Sequence, residues 1–192
     1  MKVLGYPMKR LSSLFTVMLL SCSAQGFGIY SLFDRFLALK DSNYIVADVS
    51  YVNDLGERKL RLLFINTESQ SAQKVDFPGI SWMREFHQIR INELGINALI
   101  VSASLSESST GGPAPAEQDQ IWIVSLNGQQ RTLLTDPGFY AGSWMVNQHV
   151  GTLVVHGYYD LNSNRKRDKA DREVLQIYDL KTLKLIHRVE GF

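Results

Sequence analysis

The sequence predicts an all-β domain made of three four-stranded antiparallel units in an open arrangement, with a small β-sandwich as the alternative. Short apolar runs rich in Val, Ile, Tyr, Phe and Trp recur between polar turns, as expected for half-buried strands. The runs also repeat, because Leu62, Ile121 and Leu175 occupy equivalent positions at spacings of 59 and 54 residues. A repeat of this length made only of strands indicates one small sheet per unit.

Composition places the chain among ordinary globular proteins. Its 192 residues carry 20 Lys+Arg against 19 Asp+Glu, and 45% of them are hydrophobic. This composition argues against a disordered chain and against a basic surface that binds nucleic acid, so no nucleic-acid partner is expected. A single Cys excludes an intrachain disulfide framework and a zinc site built from several cysteines.

Residues 1–24 have the organisation of a secretory signal peptide. Three basic residues, Lys2, Lys9 and Arg10, precede the apolar run Leu11–Leu20, and a short stretch of small residues follows it. The apolar run is well short of the roughly 20 residues that span a bilayer. We therefore expect an exported protein whose single folded domain comprises residues 25–192, without Cys and slightly acidic.

Two ways of processing this segment remain open. Cleavage after Ala24, with small side chains at Cys22 and Ala24, would release a soluble periplasmic or secreted protein. The stretch Leu19–Cys22 resembles the lipobox of bacterial lipoproteins, which would place a lipid on Cys22. Membrane attachment is expected only in that second case.

The three units comprise residues 31–78, 79–137 and 138–192. In each, two apolar strands are followed by a short turn and a further strand. The predicted strands are Tyr44–Val49, Leu60–Ile65 and Ala72–Phe77 in unit one, Ala98–Ala103, Gln120–Leu126 and Arg131–Leu134 in unit two, and Thr152–Tyr158, Val174–Leu180 and Leu183–Val189 in unit three. Asn127-Gly128 predicts a type I′ hairpin, since both central residues of that turn need positive φ.

A further strand precedes each of these triplets. Ser31–Leu39 is apolar enough to be the first strand of unit one, although its spacing also suits a short helix. Ser-Trp-Met follows a Pro-Gly turn twice, at 78–83 and 137–145, and leads in each case into another strand. Four strands per unit follow from these signals.

The units resemble the blades of TolB-like or WD40-type β-propellers, with a final hairpin of the form seen at 121–128. The resemblance covers residues 31–192 and lacks the Trp-Asp dipeptide and the Ser-Pro-Asp-Gly turn that such repeats often carry. It implies four-stranded blades packed side by side. Closed propellers have about four to eight blades, so three units imply an open curved stack, closure by a second chain, or the β-sandwich.

The connector between the second and third strands of unit three has oxygen-bearing side chains at positions 1, 3, 5, 9 and 12 of a twelve-residue loop. The candidate ligands are Asp160, Asn162, Asn164, Asp168 and Asp171, with the carbonyl of Lys166 at position 7. The loop resembles calcium loops of EF-hand and dockerin type, which implies weak Ca²⁺ binding outside the cytoplasm. Arg165 stands where those loops have Gly, and the alternative is a set of Asx turns around a solvated tip.

The other two connectors carry less information. Residues 104–120 contain a run of Ser, Gly, Pro and Ala and are expected to form a mobile surface loop, whereas 51–58 suggests a turn. If the repeat is real, all three connectors project from one edge of the domain.

No catalytic motif appears in the sequence. It has no Gly-rich phosphate loop, no Gly-x-Ser-x-Gly elbow and no His-Glu-x-x-His, and its four histidines lack ligand spacing. We therefore expect a non-enzymatic binding or scaffold module of the bacterial envelope, with a protein or glycan as partner. The alternative is an exported hydrolase that uses His156 and carboxylates of the third connector. A homo-oligomer is a further expectation, because three units leave two sheet edges exposed.

Overall fold

The computed structural model describes residues 31–52, 58–105, 118–164 and 167–191. These residues form three four-stranded antiparallel sheets, so the predicted all-β class and the four strands per unit are confirmed. The signal peptide and Cys22 lie outside the described residues, as do parts of all three connectors. Within the described ranges, no helix has the length and apolar character needed to cross a membrane.

Each unit folds into one sheet whose strands lie side by side in chain order. The first sheet contains β1 (Ser31–Ala38), β2 (Tyr44–Val52), β3 (Arg58–Asn66) and β4 (Ser71–Asp76). The second contains β5 (Ile80–Ile91), β6 (Ile96–Leu105), β7 (Asp119–Val124) and β8 (Arg131–Leu133). The third contains β9 (Phe139–Asn147), β10 (Thr152–Tyr159), β11 (Arg172–Asp179) and β12 (Lys184–Glu190). Residues 31–38 therefore form a strand and not a helix.

The second sheet lies between the other two and buries both of its faces. Successive residues of a strand point to opposite faces, so Leu99 and Val101 of β6 join the core shared with the first sheet, whereas Ile100 joins the core shared with the third. The equivalent residues of the repeat each face the sheet that follows their own. Leu62 of the first sheet faces the second sheet, and Ile121 of the second sheet faces the third. Leu175 is half-buried on the face of the third sheet that no other sheet covers.

The hairpin after β7 is present, but its turn is not the predicted type I′. Only Gly128 of the two central residues has a positive φ, at 73°, and the loop runs from 125 to 130. The Asn127 side chain instead accepts hydrogen bonds from the Ser125 hydroxyl and the Gln129 N–H. These bonds form an Asx turn, in which Asn127 does not adopt the left-handed backbone that a type I′ turn requires. A Cβ at Gly128 would press on Phe64, so this glycine also lets the turn pack against the first sheet.

Corresponding turns of neighbouring sheets lie next to each other. Lys40, just after β1, bonds through its backbone to Gln88 of β5, and Gly151, just before β10, packs against Leu94 in the 3₁₀ turn Asn92–Leu94 after β5. The connectors after β2, β6 and β10 therefore leave from the opposite edge. Among the described strands, none of the first sheet pairs with a strand of the third, so the stack is open.

Candidate functional site

A groove lies where the first strands of the three sheets converge. Side chains from β1, β5 and β9 and from the turns after them enclose about 780 Å³. Each of these strands is the edge strand of its own sheet, so three units contribute to one concave surface. The lining includes Leu37, Lys40, His87, Gln88, Arg90 and Trp144.

An imidazole and an indole form the middle of the groove. The His87 ring meets the Trp144 ring edge-on, with centroids 5.7 Å apart, and His87 Nε2 lies 3.0 Å from Glu85 Oε2. The His87 side chain is 58% exposed, so it is available to a partner, while Trp144 is half-buried against the second sheet. The pair combines an apolar platform with a polar group.

Hydrogen bonds hold the polar rim of the groove in place. The Gln88 amide donates to the Lys40 carbonyl at 3.0 Å and to Asn97 Oδ1 at 2.9 Å, and it accepts from the Lys40 N–H at 2.7 Å. Arg90 pairs with Asp41 and donates from Nε to Asn92 Oδ1 at 2.8 Å. Sequence reasoning did not find this groove. Its one sequence signal was the Ser-Trp-Met echo, which marks Trp144.

The third connector does bring its predicted side chains together. Asp168 is the centre, since its carboxylate accepts from the amides of Asn162 at 3.2 Å and Asn164 at 2.6 Å and from the Ala170 N–H at 2.7 Å. These bonds, the backbone one first, lower the pKa of Asp168. Asp171 accepts from the Asp168 N–H at 2.7 Å and from the Leu161 N–H at 3.3 Å.

This arrangement is the one that the Asx-turn alternative describes. Asp160 and Asn162 both accept from the Asn164 N–H, at 3.2 and 3.1 Å. Two amide NH₂ groups and one backbone N–H surround Asp168, so the amides of Asn162 and Asn164 would have to turn their oxygens inward to bind a cation. Lys166 lies outside the described residues, and among the described ones no group of three or more His, Cys, Asp or Glu could hold a metal ion. Calcium binding stays a prediction.

His156, the centre of the hydrolase alternative, lies on an exposed sheet face. Its Nε2 is 3.7 Å from Glu173 Oε2, and the two side chains are 33% and 42% exposed. Arg167 also pairs with Glu173 and lies over the Tyr158 ring, 6.0 Å from its centroid. His149 is in the turn before β10 and His156 near its far end, so these two histidines do not form a pair. Enclosed acid–base chemistry, which needs a desolvated base, is not what this geometry favours.

A buried polar network crosses the inner face of the third sheet. Gln176 is fully buried and accepts from the Tyr178 hydroxyl while donating to Tyr159 Oη at 2.8 Å. The Tyr159 hydroxyl donates to Asp136 Oδ2 at 2.7 Å, and Arg188 also binds this carboxylate. Burial, and then the bond to Asp136, raise the pKa of Tyr159 to about 12. Burial likewise raises the pKa of Tyr178. The network is structural, because it joins the linker before β9 to β10, β11 and β12.

No protein-family model and no curated protein matches this chain. Among solved structures it is similar to Pyrococcus horikoshii acylaminoacyl peptidase, at 12% identity and a TM-score of 0.50 over 84% of this chain and 25% of that one. It is also similar to the β-propeller domain of the Trilobed protease from Pyrococcus furiosus, which has an open velcro topology, at 10% identity and a TM-score of 0.49 over 86% and 44%. A third is an acylaminoacyl peptidase in complex with Z-Gly-Gly-Phe-chloromethyl ketone, at 14% identity and 0.48 over 84% and 25%.

The described residues form an open stack of three four-stranded antiparallel sheets. The chain spans between a quarter and somewhat under half of the length of these structures. At such identities the likeness concerns the fold alone. The expected four-stranded blade-like units are confirmed by the sheet topology itself. The resemblance of the third connector to EF-hand and dockerin loops gains no support from these matches.

Proposed function

We propose that this protein is a non-enzymatic binding module of the bacterial envelope, which holds a protein or glycan partner in the groove between β1, β5 and β9. One observation carries the proposal: three separate units direct side chains into a single concave surface with an aromatic pair at its middle. Concave sites with apolar walls and a few fixed polar groups are the usual form of a binding site. Gln88 and Arg90 are held by neighbours, so the groove is preformed and little ordering is needed on binding.

The groove is tested by comparing two tryptophans. We expect the wild-type protein to retain a partner from an envelope extract or a glycan array, and His87→Ala and Trp144→Ala to lose it. Trp82 of β5 is 47% exposed and does not line the groove, so Trp82→Ala serves as the matched control and should bind normally. Circular dichroism would show that each variant folds. Equal loss in all three variants, or binding that survives in both groove variants, would reject the groove.

The hydrolase alternative makes a different prediction about the same preparations. Loss of turnover of peptide or glycoside substrates on His156→Ala, with groove binding unchanged, would favour the enzyme. We expect neither activity nor any effect of that substitution on binding, because His156 lies on the outward face of the third sheet, away from the groove.

Calcium is proposed as a stabiliser of the third connector at near-millimolar concentration, as weak extracellular sites require. The support is the convergence of Asp160, Asn162, Asn164, Asp168 and Asp171 in one loop. A rise in melting temperature with calcium in the wild type, absent in Asp168→Asn, is expected. No rise at several millimolar calcium would leave the Asx turns as the whole explanation of these residues.

Export is proposed from residues 1–24 alone. Mass spectrometry of the mature protein from cells distinguishes the two products, since cleavage after Ala24 starts the chain at Gln25, whereas lipidation leaves a modified Cys22 at the N-terminus. An intact Met1–Ala24 segment on the cellular protein would reject both.

A further inference from the structure

In the described part of the chain, one face of the first sheet and one face of the third sheet are covered by no other sheet. The strand register places Phe33, Phe36, Ala47, Val49, Leu63 and Ile65 on the outer face of the first sheet, together with the polar residues Tyr51, Arg61 and Lys74. Ala47 and Val49 are buried, so the exposed apolar part of this face is centred on Phe33 and Phe36. The outer face of the third sheet carries Met145, Val154, Leu175, Ile177 and Val189 beside the polar residues His156, Glu173 and His187. Phe36 is 64% exposed and Met145 is 74% exposed. Apolar patches of this kind mark interaction surfaces.

Both junctions inside the chain have a contact to an aromatic ring between first strands. At the first junction the Arg35 guanidinium of β1 lies 5.1 Å from the centre of the Phe86 ring of β5. At the second junction His87 of β5 meets the Trp144 ring of β9 at 5.7 Å. In each case an aromatic ring on a first strand faces the preceding sheet and receives a side chain from that sheet's first strand.

The two outer faces supply the halves of a third such junction. Met145 lies on β9 and points away from the second sheet, in the register position of His87 in β5 and on the same side of its sheet as Arg35 in β1. Phe36 lies on β1 and faces the side from which a preceding sheet would approach, and it stacks on Phe33 with centroids 5.8 Å apart. A thioether against an aromatic ring is a favourable contact. One chain cannot bring its own two outer faces together, because the second sheet lies between the first and third sheets.

We propose that two copies of this chain close on each other head to tail, so that the outer face of the third sheet of each copy packs on the outer face of the first sheet of the other. The two contacts are identical and form together, which gives a closed ring of six sheets. Closed propellers have about four to eight sheets. Each chain contributes three sheets, so one copy has too few sheets for this range and three copies have nine, which is too many. Two copies, with six sheets, fit the range.

The area involved is enough for a stable dimer. Four strands about 4.8 Å apart and about eight residues long, at about 3.3 Å per residue, cover roughly 500 Å² of each face. Because Ala47 and Val49 are already buried, two junctions with two faces each would bury at most roughly 2,000 Å², and stable interfaces bury about 1,200–2,000 Å². The proposal does not rest on groove binding, although closure would add the first strands of the partner copy to the concave surface.

The first test is the mass of the protein in solution, by size-exclusion chromatography with light scattering. We expect the mass of two chains for the wild type and of one chain for Phe36→Asp and for Met145→Asp. Val150, in the turn before β10, is 53% exposed and lies off both faces, so Val150→Asp should stay at two chains. A wild-type mass of one chain, or of three or more, would overturn the proposal, as would a dimer that survives both face substitutions.

The second test establishes which faces meet. In a Cys22→Ser background the chain has no other Cys, so Phe36→Cys and Met145→Cys each introduce one thiol. A short thiol cross-linker should join the two variants when they are mixed after partial unfolding and refolding, and should join neither variant to itself. Cross-linking of Phe36→Cys alone would show a face-to-face dimer of another kind and would reject the head-to-tail ring.

Discussion

Gln176 provides the sharpest test of how the third sheet is held together. It is fully buried in β11, accepts from the Tyr178 hydroxyl and donates to Tyr159 Oη at 2.8 Å. Gln176→Leu keeps most of the volume but removes the acceptor of Tyr178, which is itself only 2% exposed. A buried hydroxyl left without a partner costs about 1–3 kcal/mol, whereas Tyr159 keeps its bond to Asp136.

The expected loss of folding free energy is about 2 kcal/mol for Gln176→Leu and about 1–2 kcal/mol for Tyr178→Phe, which leaves Gln176 Oε1 without that donor. In the double variant neither an orphan donor nor an orphan acceptor remains at this bond. Its cost should therefore fall short of the sum of the two single costs by about 1–2 kcal/mol, because partners removed together avoid the penalty of an unsatisfied group.

Urea unfolding followed by tryptophan fluorescence measures these differences. With a slope of about 1–3 kcal/mol per molar urea, Gln176→Leu should lower the unfolding midpoint by about 1 M. Gln73→Leu, on an exposed position of β4, is the matched control and should stay within about 0.5 kcal/mol of the wild type. Additive costs within about 0.5 kcal/mol, or no loss in Gln176→Leu, would refute the reasoning.

Two further substitutions test close packing and proton binding in the same sheet. A Cβ on Gly157 would overlap the Tyr140 carbonyl oxygen and the Phe139 ring, so Gly157→Ala should lower the free energy of unfolding, measured in urea, by about 1–3 kcal/mol or more. Gly142→Ala is the control and should cost little, because its Cβ would meet its nearest atom at 3.4 Å. Equal losses in the two variants would contradict the close packing at Gly157. Because the pKa of Tyr159 is raised from 10.0 to about 12, the unfolded chain loses this proton first, so its contribution is complete below about pH 10 and disappears as the pH rises to about 12. Tyr159→Phe should make the urea midpoint of unfolding fall less steeply with pH between about pH 10 and 12. An unchanged dependence on pH would show that folding does not raise the pKa of this hydroxyl.

The repeat is the part of the fold that could be read from the chain. Apolar alternation around Leu62, Ile121 and Leu175 predicted the strands of all three units, because successive residues of every strand alternate between the two faces of its sheet. The turn type at Asn127-Gly128 could not be read, since the choice between an Asx turn and a left-handed Asn depends on the neighbours Ser125, Gln129 and Phe64. Local signals located this loop but did not determine its backbone.

The candidate site shows the same division. The third connector was visible because its oxygen-bearing residues lie close together in the sequence, and the structure gathers them around Asp168. The groove was not visible, because Lys40, His87 and Trp144 belong to three different units and meet only when the sheets pack. The spacing of these residues in the sequence therefore gives no sign that they lie together in the groove.

The amino-acid sequence was sufficient to establish an all-β chain of three repeating units with a polar loop in the third, because strand alternation and turn chemistry are local properties. Packing alone decided that the second sheet is covered on both faces, that the first strands converge on a groove, and that Phe36 and Met145 are left exposed. These features depend on how sheets stack, and stacking is set by the complementary shapes of side chains far apart in the sequence.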